Sequence, residues 1–320
     1  MSSSRQRLQQ TPSTPTVADR EVFVVGGGLV RAGAADALRE LVARNGGIGV
    51  LNTFTAKGLF PWDSVAHLGT IGLQERDVEL AGLAGRGVVE IGVDDGELPS
   101  GAVRSCAASW REIPAHELIG ADAAELGLAD ADQLGLPPPR PPLYTRLSAA
   151  LQPFYAAPGA PLNPARAAAD LAGWLPYGAS VAADAGRAGF FVGRTFPTRE
   201  LASVQLPVHH VPGFAATRAL TATRTGRTAV AVVDGIDDAT QAALDRARRA
   251  ADGAAGSGCL VVEVWSSAGP RLGAAERLEL LDEAVGRGGV HVLELGVDFG
   301  PTLDALVAVA GRPRWHTLWG

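Results

Sequence analysis

Four groups of residues have the types and spacing to carry chemistry. Gly26, Gly27 and Gly28 follow the apolar run 21–25 (EVFVV) and precede a helical pattern. Bare backbone N–H groups in such a turn can approach a phosphate. The dinucleotide fingerprint, however, wants a third glycine at position 31, where Arg31 stands, and Gly33 comes two residues late. A tight strand-to-helix turn and a nucleotide contact therefore both remain open. Asp184 and Asp234 each follow an apolar run, 181–183 and 228–233, and His209-His210 precede Val211-Pro212-Gly213. A histidine pair could exchange protons near neutral pH, or could simply be exposed on a loop. Lys57, the only lysine among 28 basic residues, could be read as a catalytic amine. The remaining histidines, His67, His116, His291 and His316, do not cluster in sequence. Cys106 and Cys259 are far apart and lack metal-type spacing, which reads as two reduced thiols. The sequence contains no nucleophile elbow, Walker loop or zinc spacing.

These groups are positioned by alternating elements. Strand patterns over 21–25, 48–51 (IGVL) and 87–93 (GVVEIGV) alternate with helical patterns over 34–43 and 75–84. From 99 to 142 the pattern loosens, and Leu136-Pro137-Pro138-Pro139-Arg140-Pro141-Pro142 can neither continue a helix nor join the middle of a sheet. Beyond it, Pro164 opens a helix to Trp174. Apolar runs at 181–183, 228–233, 260–265 and 290–295 follow, with helices over 239–251 and 274–285. Asp237 and Asp238 start the first of these helices and Arg246, Arg248 and Arg249 end it, the polarity that a helix dipole favours. The pattern predicts an α/β fold of two domains, each a mostly parallel sheet flanked by helices. The expected divisions are a disordered tail over 1–19, a central domain over 20–135, a Pro-rich linker over 136–160 and a second α/β domain over 161–320.

Composition narrows the function classes. The 320 residues are 47% hydrophobic, with 40 Gly and 21 Pro, enough for two packed cores and too irregular for collagen or a coiled coil. A formal net charge of −6 and no basic stripe give a nucleic-acid partner no support. No apolar run approaches the roughly 18 to 20 residues needed to span a bilayer, and the polar start of the chain lacks a secretory h-region. A cytoplasmic protein is expected. Met1, the sole methionine, reads as a true initiator.

The ordered set of motifs resembles a family. The run from Val22 to Asp95 includes the triple glycine, Lys57-Gly58-Leu59-Phe60-Pro61 and Leu68-Gly69-Thr70-Ile71-Gly72. It resembles the central domain of thiamine-diphosphate enzymes of the acetolactate synthase and 2-oxo acid decarboxylase group. The resemblance implies that Lys57 is structural, at a turn. It also implies that any bound FAD or ADP lies near Gly26, Gly27 and Gly28, the turn 52–54 and the segment 69–72. Many members keep this domain as a scaffold without a nucleotide.

The second half is similar to the family's diphosphate-binding domain through Asn163-Pro164, Asp184-Ala185-Gly186, Gly213-Phe214-Ala215-Ala216 and Val233-Asp234-Gly235. The resemblance implies cofactor contacts at Asp184, Gly186, Gly213, Asp234 and Gly235. Asp234 would hold Mg²⁺, which bridges the thiamine diphosphate. Two departures stand out. Val233 replaces a glycine, and the family's Asn-Asn pair is missing, with Glu263 and Ser266 the nearest substitutes. Glu263 could be an ion ligand or point away, and Trp265 is expected to crowd a diphosphate.

The family also places a pyrimidine-binding domain, with its activating glutamate, before the central one, and this sequence is expected to begin after it. Three readings follow. The first is a degenerate, pseudoenzyme-like family member without catalytic residues, acting as a binding, regulatory or structural component. The second is an active acetolactate-synthase-like lyase or carboligase whose pyrimidine domain comes from a separate subunit. The third is an unrelated nucleotide-binding dehydrogenase resting on the Gly26 turn, against which the missing glycine counts. A homo-oligomer is the expected assembly.

Overall fold

The computed structural model describes residues 21–122, 124–128, 139–201, 203–251 and 258–315. The expected tail over 1–19, residues 136–138 of the proline run, and His316 lie outside the described residues.

Two five-stranded sheets form the two halves, and all their ladders are parallel. The first contains β1 (Val22–Val25), β2 (Gly49–Thr53), β3 (His67–Ile71), β4 (Gly87–Ile91) and β5 (Ser109–Ile113), in the order β3-β2-β1-β4-β5. The second contains β6 (Ser180–Ala183), β7 (Val204–Gln205), β8 (Ala229–Val233), β9 (Leu260–Ser266) and β10 (Val290–Gly296), in the order β10-β9-β8-β6-β7. Every residue of β1, β2, β6 and β8 is buried, as expected for strands covered by helices on both faces. The α/β, two-sheet architecture is the one that the alternating pattern predicts. In each sheet the order reverses at one crevice, between β1 and β4 and between β6 and β8, and ligands of open parallel sheets collect at such points.

One expectation needs correcting. Residues 142–156, within the expected linker, form the helix Pro142–Ala156. Pro142 stands at its first turn, where a missing N–H costs nothing, and Leu143, Leu147 and Leu151 repeat every fourth residue and are buried. Their helical spacing outweighs the prolines before them. Conversely, the helix expected over 75–84 shrinks to Asp77–Leu80, and β3 and β5 form where no strand was expected.

A single apolar cluster runs through both halves, joining Val24 and Leu51 of the first sheet to Phe190, Val232 and Trp265 of the second. At this joint Asp77 forms a buried ion pair with Arg194 at 2.8 Å, both side chains 2% exposed. Asp77 also accepts the amides of Leu73 and Gln74, so its lone pairs are well used. Gln74 in turn donates to the carbonyls of Leu306 and Gly311, tying the same turn to the helix Gly300–Ala310.

Candidate functional site

In the second domain, Asp184 and Asp234 stand at the carboxyl ends of β6 and β8, one on each side of the crevice. Both carboxylates face helix N-termini. Asp234 Oδ2 accepts from the Arg187 amide at 2.7 Å and Oδ1 from the Ala188 amide at 2.8 Å, at the start of the helix Arg187–Thr195. Free N–H groups and the helix dipole make such an end a good seat for an anion, and here the anion is the protein's own carboxylate. A Cβ on Gly186 would lie 2.3 Å from Asp234 Oδ2, so this close approach requires glycine. Asp184 Oδ1 accepts from the Ala215 amide at 2.8 Å, at the start of the helix Phe214–Thr223. Gly213 precedes that helix with φ +66°, and its missing Cβ leaves room for the Ala239 backbone. Gly235 faces open space.

Burial raises both carboxyl pKa values. That of Asp184 rises to about 6, with added repulsion from Asp237 and Asp234 and opposition from the Ala215 amide. Asp234 is pushed up by burial against the two amides that it accepts. A metal ion at Asp234 would therefore compete with amides for both oxygens. Among the described residues no group of three His, Cys, Asp or Glu side chains could hold a metal.

Of the two nearest substitutes for the missing asparagines, Ser266 ends β9 and its hydroxyl accepts the Ala268 amide at 3.2 Å, whereas Glu263 is turned into the core. Glu263 is fully buried and receives Arg277 Nε at 2.8 Å and Nη2 at 2.6 Å, while Trp265 Nε1 donates to it at 3.0 Å. Arg277 completes its contacts with the Ala167 carbonyl at 2.7 Å. This is a core ion pair. The possible role of Glu263 as an ion ligand gives way to its fork with Arg277, and the Trp265 indole turns into the same buried layer. Val233 is likewise buried, in one apolar cluster with Ala215 and Ala219.

The central domain repeats the arrangement. The amides of Gly26 and Gly28 donate to the carbonyls of Ile91 and Gly92 at 3.0 and 2.8 Å. The Gly27 amide donates to Glu97 Oε1 at 3.0 Å. Glu97 also accepts from the Thr55 hydroxyl and from the Asp94 amide. Its side chain is 0% exposed, and burial raises its carboxyl pKa. A Cβ on Gly26 would come within 2.3 Å of Glu97 Oε2. A carboxylate thus occupies the crevice between β1 and β4, and Arg31, in place of the fingerprint glycine, pairs with Asp94 at 2.6 Å.

Residues near the end of the chain cover this crevice. Arg314 donates to the carbonyls of Gly72, Gly96 and Glu97. Trp315 meets Phe54 edge to face at 5.0 Å and lies against Gly189 of the second domain. Of the loop histidines, His209 lies against Gly96, and His210 is close enough to stabilise the Asp184 carboxylate. Both are exposed. Lys57 falls outside both crevices, with its side chain buried at the domain joint. Sequence reasoning missed Glu97, Arg194 and Arg314. Each acts through contacts across more than 60 residues of chain, and no local motif marks any of them.

Residues 16–81 match the family described as thiamine pyrophosphate enzyme, central domain. Among solved structures, the chain is similar to a candidate thiamin diphosphate-dependent enzyme isolated from Mycobacterium smegmatis, with 16% identity and a TM-score of 0.57. That likeness covers 86% of this chain and 61% of the other. It is also similar to benzoylformate decarboxylase from Polynucleobacter necessarius, with 12% identity and a TM-score of 0.61, covering 93% of this chain and 68% of that one. The chain thus spans about three fifths of the first structure's length and about two thirds of the second's. A comparison with curated proteins found no match. The first domain carries the signature of a thiamine-diphosphate-enzyme central domain, and the chain as a whole has the fold of these enzymes.

Proposed function

We propose that this chain is a degenerate member of the thiamine-diphosphate enzyme family, non-catalytic by itself, that serves as a binding, regulatory or structural component. The observation that carries this reading is Asp234. The carboxylate that would hold Mg²⁺ gives both oxygens to the first amides of the helix Arg187–Thr195, amides that would otherwise face a diphosphate. Octahedral Mg²⁺ needs several hard oxygen ligands at near-ideal positions, and Glu263 is committed to Arg277. The residues present do not fit a Mg²⁺–diphosphate. Glu97 supports the same reading for FAD or ADP, because a second anion would meet its carboxylate at the glycine turn.

A second reading, an active acetolactate-synthase-like lyase or carboligase completed by a separate pyrimidine-domain subunit, draws on one observation. Asp184 and Asp234 still flank the crevice, and Gly235 opens onto free space. In either reading a homo-oligomer is proposed. Purified protein supplied with Mg²⁺, thiamine diphosphate and pyruvate is expected to show no decarboxylation or carboligation, with or without a candidate pyrimidine-domain partner. Turnover that disappears in Asp234→Asn would overturn the first reading in favour of the second.

A further inference from the structure

A cavity of about 530 Å³ lies between the edge of the first sheet, the helix Pro142–Ala156 and the end of the helix Arg187–Thr195. It is separate from both crevices. Its walls are largely apolar, with Leu143, Leu147 and Leu151 along the helix and Trp62 and Phe196 opposite. Its size is that of a pocket for a small organic ligand.

Several of its polar groups are already paired, the Tyr144 and Tyr155 hydroxyls donating to the carbonyls of Trp62 and Thr195. Lys57 is 7% exposed, and among the described residues no hydrogen-bond or ion-pair partner receives its amine. Arg194, 8% exposed, uses its terminal nitrogens on Asp77 and Thr70, yet its Nε is buried without a partner. His67, also 7% exposed, has a buried Nδ1 with no partner. No acidic side chain is among the lining residues. A buried amine left unpaired is costly, and one that lines a cavity with no carboxylate is complementary to an oxygen anion.

From this geometry we infer that the cavity binds a small monocarboxylate with an apolar body, its carboxylate received by Lys57 with Arg194 and His67 beside it and its tail against the leucine face of the helix Pro142–Ala156. The site uses neither Glu97 nor the two aspartates, although Gly69 and Thr70 in its wall belong to the segment 69–72 that the family resemblance places near a nucleotide. The charges around Lys57 agree with it. The groups facing the amine are His67 from β3, Arg194 with Asp77 behind it, Tyr144 and Tyr155 from the helix, and Arg140 just before that helix. Burial, then the Arg194 charge, lowers the Lys57 pKa to about 7, and burial lowers that of His67 to about 3. A bound carboxylate would favour the charged amine and raise its pKa, so above pH 7 binding takes up a proton and affinity falls as pH rises.

Octanoate is the probe, titrated calorimetrically into the intact protein at pH 7 and pH 9, with 1-octanol as the neutral control. The expected results are saturable binding at pH 7, at least tenfold weaker binding at pH 9, and at least tenfold weaker binding in Lys57→Met with the pH dependence gone. Leu147→Trp, which keeps Lys57 and fills the cavity, should abolish binding. The inference is overturned if octanoate shows no saturable binding, if 1-octanol binds as tightly, or if Lys57→Met leaves octanoate affinity unchanged.

Discussion

At the residue scale, the carboxylates of Asp234 and Glu97 serve the protein's own backbone. Asp234 caps a helix whose first amides would otherwise be unsatisfied, so removing it costs stability. Asp234→Ala is expected to lower unfolding free energy by about 1–2 kcal/mol in urea titrations without added metal. A carboxylate held ready for a metal would behave oppositely, since removing an unpaired buried charge stabilises. An unchanged or raised midpoint would therefore contradict the capping role. Asp184, Gly213 and Asp234 were legible in the sequence because their places are local: a polar residue ending an apolar run, or a glycine before a helix. Glu97 was not, because its partner Gly27 lies 70 residues away and nothing around Glu97 marks it as anionic filler for a glycine turn. The unpaired state of Lys57 was equally hidden, since it depends on which side chains from three distant segments fail to reach it.

At the element scale, the two sheets are joined through a short turn and one long helix. The turn before Asp77–Leu80 brings Asp77 against Arg194 in a site closed to water, and the ion pair links β3's end of the first sheet to the second domain. Breaking a buried pair leaves an uncompensated charge. Asp77→Asn is expected to cost about 3–5 kcal/mol by chemical denaturation. A loss below about 1 kcal/mol would mean that the apolar joint alone holds the domains together. The strands β1, β2, β8 and β9 were readable as continuous apolar runs. Of the elements that resisted reading, two did so for opposite reasons. β5, with Ser109, Arg111 and Glu112, is an edge strand that buries only Ile113. The helix Pro142–Ala156 follows prolines that signal a break, although Leu143, Leu147 and Leu151 already carry its period.

At the scale of the whole molecule, both sheets reverse order at a crevice suited to ligands; the first holds Glu97 under Arg314 and Trp315, and beside the second Asp234 is turned onto the amides of Arg187 and Ala188. The fold of thiamine-diphosphate enzymes is thus kept, and in the proposed reading the amides that Asp234 engages are not free for a diphosphate. The most direct test of that claim is a calorimetric titration of thiamine diphosphate into the purified protein, run with and without Mg²⁺. No saturable heat is expected in either condition up to millimolar cofactor. Saturable, Mg²⁺-dependent binding that is lost in Asp234→Asn would contradict it.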